Sequence, residues 1–184
     1  MFFKVLNSEL NHHGFQFQLG LNIDTNSFND EECENGLHFC ELKDIPSWLY
    51  YGSKLAFISI PNDAKVIHFQ DKSKADRIFI ERIIDLKNWE MWENEEFCLK
   101  AILKDPSLFQ YVKNQTEELC IQAVKSRVTA LEYVENQTFK VCLEAIKTNG
   151  YALKYVRKQT NALCLEAVKL DGFSLQYVNY QTNE

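Results

Sequence analysis

The stretch ELCIQAVKSRVTALEYVENQT, residues 118–138, decides the fold of the C-terminal half. It has three counterparts: EFCLKAILKDPSLFQYVKNQT at 96–116, KVCLEAIKTNGYALKYVRKQT at 140–160 and ALCLEAVKLDGFSLQYVNYQT at 162–182. Cys98, Cys120, Cys142 and Cys164 stand 22 residues apart, as do Ala101, Ala123, Ala145 and Ala167. No insertion separates the copies. A fixed period near this length marks units that cannot bury an apolar face alone and stack on their neighbours. The spacing predicts four helix-turn-helix units, 94–116, 117–138, 139–160 and 161–184, forming an all-α solenoid over 91–184.

Within a copy, the first helix is expected from Glu117 to Lys125. Thr116, Thr138 and Thr160 stand where a hydroxyl accepts a first-turn N–H, and Lys125, Lys147 and Lys169 favour the negative helix end. Leu119, Cys120, Ile121, Ala123 and Val124 cover most of the circumference, so this helix is expected to be buried on more than one side. The second helix is expected from Val128 to Glu135. Its first position holds Pro106, Val128, Gly150 and Gly172. Proline requires a negative φ there, so the glycines do not mark a left-handed turn. Asp105, Asn149 and Asp171 precede it as caps, and Arg127 leaves the second copy without one. The repeated cysteines read as packing residues, because no Cys or His ligand pair accompanies them. Tyr111, Tyr133, Tyr155 and Tyr177 read as core. Gln115, Gln137, Gln159 and Gln181 read as side chains that satisfy loop backbone between units. The variable Lys100, Gln122, Glu144 and Glu166 read as solvent-facing and form the candidate binding face. The fourth copy is expected to expose a face built to receive a fifth, giving either a self-association surface or a mobile last unit.

The net charge of −6 is unevenly placed in the 184 residues. From Asn94 onward there are 11 Lys+Arg and 11 Asp+Glu, leaving 9 and 15 before it. Phosphate neutralisation needs a basic stripe, and neither half has one, so nucleic acid is not an expected partner. No apolar run is long enough to span a membrane or to act as a signal peptide. Free thiols fit a reducing, intracellular setting.

Residues 1–90 have a different texture and predict a small mixed α/β domain, giving an α+β chain overall. Phe2–Leu6, Gly14–Leu19, Gly36–Cys40, Leu55–Ile60 and Val66–Phe69 read as strands. Asp44 is expected to cap a helix over Ile45–Tyr51. Residues 74–87 read as a strand followed by a helix, with a helical link through Trp89–Trp92.

The front stretch Gly14-Phe15-Gln16-Phe17, Gly20-Leu21-Asn22, Cys33, Gly36-Leu37-His38-Phe39, Tyr51-Gly52, Ile60-Pro61, Ala64 and Lys74-Ala75-Asp76 resembles uncharacterised proteins of mimivirus-type giant viruses. The repeat core, ALKYVRKQT followed three residues later by CLEAVK, resembles the repeat of unknown function in the same viruses. The resemblance implies a paralogous viral family acting in the host cytoplasm or carried in the virion. It implies no activity.

Two constellations are candidates for chemistry. Cys33, His38 and Cys40, with His12, His13 or His68, are metal-ligand residue types, but C-x4-H-x-C is not a zinc spacing. His38 and Cys40 alternate on a strand and are expected to share one face. Secondly, His13-Gly14 and Gly36-Leu37-His38-Phe39, followed by Tyr51, are similar in order to the nicotinamide-binding elements of the ADP-ribosyltransferase superfamily. That resemblance implies NAD as substrate and a catalytic glutamate, for which Glu81 is the candidate. The leading expectation is a non-enzymatic protein–protein interaction module that binds a host or viral protein and needs no cofactor or metal. A structural virion component is the other alternative.

Overall fold

The first strand, β1 (Phe2–Leu6), is an apolar run broken by one lysine, and Phe3, Lys4, Val5 and Leu6 are all buried. Such runs suit a strand covered on both faces. It opens an antiparallel four-stranded sheet in the order β1-β6-β9-β4, with β4 at Gly20–Ile23, β6 at Lys54–Ser59 and β9 at Arg77–Asp85. A three-stranded sheet, β5-β8-β7, is built from Leu37–Phe39, Ser73–Ala75 and Val66–His68. Two backbone hydrogen bonds between Phe3 and Cys40, each 2.9 Å, tie the end of β5 to β1. Leu6, Phe17, Leu37, Phe39, Ala56, Ile58, Ala75, Ile78 and Ile80 form one core. The computed structural model describes residues 1–32 and 34–179, and the chain divides into two compact units, Met1–Trp89 and Glu90–Glu184.

Several local expectations need correction. Gly14–Leu19 is not one strand. Phe15–Gln16 (β3) pairs with Asn11–His12 (β2) in a two-residue hairpin. Its loop, His13-Gly14, has φ of 51° and 80°. Positive φ at both central residues is the signature of a type I′ turn, whose twist matches the flanking strands. The expected helix over Ile45–Tyr51 is two short 3-10 turns, Ile45–Ser47 and Leu49–Tyr51, and the Asp44 side chain caps neither. Residues 77–85 form one long strand. A register shift beside Phe57–Ile58 lets Ile58 face Ile80 and Phe57 face Arg82, so Glu81 bulges out and interrupts the period-two pattern. Gly52 is extended, and a Cβ there would lie 2.0 Å from the Leu6 carbonyl oxygen, so only glycine fits.

In the second unit, α1 (Glu95–Lys104), α2 (Glu117–Ser126), α3 (Phe139–Thr148) and α4 (Asn161–Leu170) start at steps of 22 residues. Asn94, Thr116, Thr138 and Thr160 each accept a first-turn N–H. The second element of each copy is a six-residue 3-10 helix, at Pro106–Tyr111, Val128–Tyr133, Gly150–Tyr155 and Gly172–Tyr177, rather than a longer α-helix. Over so short a stretch an i→i+3 bond closes one residue sooner than an α-helical bond. Asp105, Asn149 and Asp171 cap these elements through their side chains and Arg127 does not. Gly150 and Gly172 are absent from the positive-φ residues. A Cβ on Gly150 would meet Ser174 Oγ at 2.7 Å and the Ala167 carbonyl at 2.9 Å, so close approach of the next copy explains that glycine.

Candidate functional site

The first unit contains a cavity of about 140 Å³. Phe3, Lys4 and Val5 of β1, His12 and His13 of the hairpin, and His38, Phe39 and Cys40 at the end of β5 line it. Trp48, Tyr51 and Lys72 complete the wall. Three residues singled out from sequence, His13, His38 and Tyr51, are therefore brought together.

Lys4 is the residue the sequence analysis missed. Its side chain is buried, Nζ donates to the His38 carbonyl at 2.8 Å, and His12 Nδ1 lies 3.1 Å away. The Phe17 ring is 4.9 Å from Nζ. Burial lowers the Lys4 pKa to about 7, because the charged form loses its water. The same cause, with Lys4, His13 and His38 nearby, lowers His12 to about 3. Cys40 is pushed the other way, up to about 12, mainly by burial. The signal for Lys4 was its place inside an otherwise apolar five-residue strand.

An aromatic wall flanks these bases. The Tyr51 ring meets His12 edge-on at 5.2 Å and lies 5.7 Å from Trp48. Trp48 Nε1 donates to the Asp71 carbonyl at 3.2 Å, and Lys72 Nζ lies 5.6 Å from the Trp48 ring while pairing with Glu32 at 3.2 Å. Among the described residues no aspartate or glutamate lines the cavity. Glu81 is exposed at the β9 bulge and is not brought to it. The two glycines of the resemblance to ADP-ribosyltransferases have structural roles. Gly14 completes the hairpin turn, and Gly36, at φ 96°, packs against Phe28 and Lys74.

The metal candidates are not assembled. His38 Nε2 is bonded to the Glu32 carbonyl at 2.8 Å, and His68 Nδ1 to Ser73 Oγ at 2.9 Å, away from the cavity lining. Cys33 lies outside the described residues. Among the described residues no group of three His, Cys, Asp or Glu is placed to hold a metal ion.

The second unit is built differently. Gln137 donates to the Leu131 carbonyl at 2.7 Å in its own copy and to the Tyr155 carbonyl at 2.9 Å in the next, and accepts from Arg157 N at 2.9 Å. Gln115 and Gln159 repeat the arrangement; Gln181 lies outside the described residues. Cys98, Cys120 and Cys142 are buried, and burial raises all the repeat thiols, Cys98 and Cys120 to about 11. Tyr111, Tyr133, Tyr155 and Tyr177 are half-buried rather than core, since each ring sits at the rim of its 3-10 helix. Of the candidate face, Lys100 and Gln122 are exposed, but Glu144 and Glu166 are half-buried. Glu144 is drawn in by Lys125 of the preceding copy at 3.1 Å and Lys147 at 3.3 Å. In the fourth copy Leu165, Leu170 and Phe173 are apolar and exposed. Among the described residues no helix is long and apolar enough to cross a membrane.

Comparison with known proteins places these units. The repeats, 94–140 and 138–181, match the family described as "Domain of unknown function (DUF4116)". "Putative ankyrin repeat protein R868" of Acanthamoeba polyphaga mimivirus is 32% identical over 102 residues, covering 50% of this chain and 51% of that protein. "Uncharacterized protein R869" of the same virus is 34% identical over 101 residues, covering 50% of this chain and 73% of its own length. "Putative ankyrin repeat protein R896", also of that virus, is 39% identical over 64 residues, 33% of this chain and 19% of that protein. The chain thus spans about half of the first relative and less than a fifth of the third. No solved structure matches it significantly. Residues 1–92, half of the chain, match the remaining family, and the protein belongs to that family, described as "Domain of unknown function (DUF7666)".

Proposed function

We propose that the Glu90–Glu184 unit is a four-copy α-solenoid that recognises a host or viral protein without catalysis, in the cytoplasm of an infected cell or in the virion. The observation that carries this reading is the glutamine ladder. Each half-buried glutamine spends its amide on two successive copies, which ties neighbouring copies into a rigid scaffold. The outward positions Lys100 and Gln122 differ in charge from copy to copy and bond only along their own helices, to Glu96 and Glu118. Variation on a fixed frame is how repeat arrays present a binding surface.

The names of two relatives contain ankyrin repeats, a class of protein-binding array. The ankyrin period is about 33 residues, so the likeness to this chain's 22-residue step is one of use and not of unit. A second copy of the chain is a further candidate partner, at the exposed Leu165, Leu170 and Phe173; sedimentation at rising concentration tests it, and a strict monomer excludes it. The recognition reading is tested by in-cell crosslinking. Wild type should capture a defined protein that the double variant Lys100→Glu, Gln122→Arg loses at an unchanged melting temperature. Equal capture by the variant contradicts the proposal.

A further inference from the structure

Two lysines are buried in the first unit, and they are held in opposite ways. Lys74 Nζ donates to Asn29 Oδ1 at 3.2 Å, to the Glu34 carbonyl at 2.7 Å and to the Glu31 carbonyl. Three oxygens complement the three N–H groups of an ammonium. Lys4 Nζ has one oxygen acceptor, the His38 carbonyl, and beside it a ring nitrogen of His12. Among the described residues no carboxylate lines the cavity, so one carbonyl and the face of the Phe17 ring offset only part of the desolvation of a charge on Lys4. An amine in that position is partly unprotonated, and so nucleophilic, near neutral pH, in keeping with its pKa of about 7.

His12 supplies the complementary feature. Its Nε2 is buried and has no hydrogen-bond partner among the described residues. When Nδ1 accepts from Lys4, the ring proton sits on Nε2, leaving a buried donor that calls for an oxygen acceptor. The cavity, about 140 Å³, is close to the ~150 Å³ that accommodates benzene in an apolar protein interior. Phe39, Trp48 and Tyr51 give it aromatic walls.

We propose that this cavity is a site for a small aromatic aldehyde, which Lys4 holds as an imine while His12 Nε2–H orients the carbonyl oxygen. The Lys4 nitrogen lone pair adds to the carbonyl carbon and the C=O π pair moves to oxygen. One proton passes from nitrogen to that oxygen, giving a carbinolamine. Loss of the hydroxyl with the second N–H proton releases one water and leaves C=N. No oxidant or reductant enters. The site is separate from the recognition role of the helical unit and stands or falls without it.

The test uses the full chain, benzaldehyde and sodium cyanoborohydride at pH 7, which reduces any imine to a stable benzyl amine mapped by fragmentation mass spectrometry. Lys4 should be labelled at least tenfold faster than Lys74 and than exposed lysines such as Lys100. Benzamide, which keeps the ring and the carbonyl oxygen but whose carbon is made unreactive towards an amine by amide resonance, should slow labelling at Lys4 alone. Between pH 8 and pH 6 the Lys4 rate should fall about tenfold, with a midpoint near 7, whereas surface lysines should still be rising above pH 9. Uniform labelling overturns the proposal. Preference for Lys4 that benzamide does not reduce also overturns it, because the lysine would then be reactive without a binding site.

Discussion

The two units bury polar side chains to opposite ends. In the helical unit Gln115, Gln137 and Gln159 each satisfy carbonyls in two successive copies, and the thiols beside them are protonated. In the sheet unit the buried Lys4 and the buried Nε2 of the half-buried His12 face a cavity with few partners. Fully satisfied networks rigidify, whereas a desolvated base costs stability and is retained where it has a use. The contrast teaches that counting buried polar groups says little until their partners are counted too.

The contrast can be broken by substitution. Gln137→Ala removes three hydrogen bonds, two of them to the next copy, and should destabilise by roughly 3 kcal/mol at about 1 kcal/mol each, measured by urea denaturation; a loss under about 0.5 kcal/mol would remove the ladder from the account. Cys120→Ser places an unpaired hydroxyl in a core and should cost about 1–3 kcal/mol, read in the same way.

Lys4 tests the other side through pH. Its pKa is lowered from 10.5 to about 7 on folding, so between those values the unfolded chain binds more protons and stability rises with pH. The penalty is full below about pH 7 and relieved above it. Cys40, raised from 9.0 to about 12, opposes the trend above pH 9, where only the unfolded thiol ionises. Stability should therefore climb by about 1–2 kcal/mol from pH 7 to 9, level off, and decline above about pH 10.5, where Lys4 no longer titrates in either state, and Lys4→Met should abolish the climb. His12, lowered from 6.5 to about 3, adds a loss of stability as pH falls below 6.5. The smallest effect sharpens the repeat comparison. Arg127→Asn, which copies the Asn149 cap into the second unit, should stabilise by about 0.5–1 kcal/mol, seen as a modest rise in melting temperature.

The period of the helical unit was legible because each signal was written four times, so caps, packing cysteines and the glutamine step reinforce one another. The 3-10 form of the second element was not, since six apolar-polar residues carry no period that separates it from an α turn. In the sheet unit the outer strands were readable, but the β9 bulge at Glu81 broke the alternation that would have extended the strand. His13, His38 and Tyr51 were singled out from sequence and do share one cavity. The motif that drew attention to His13-Gly14 serves a hairpin turn, and the residue with the most perturbed base chemistry, Lys4, had no motif at all. Burial makes Lys4 unusual, and the long-range approach of His12 and His38 that helps enclose it is invisible in a single sequence.

The central claim is a division of labour, with recognition in the helical unit and chemistry in the sheet unit. Parallel in-cell crosslinking of wild type, Lys100→Glu with Gln122→Arg, and Lys4→Met tests it most directly. The account predicts that the helical double variant loses the captured protein and that Lys4→Met keeps it. Loss of capture in Lys4→Met, or its survival in the double variant, would contradict the account.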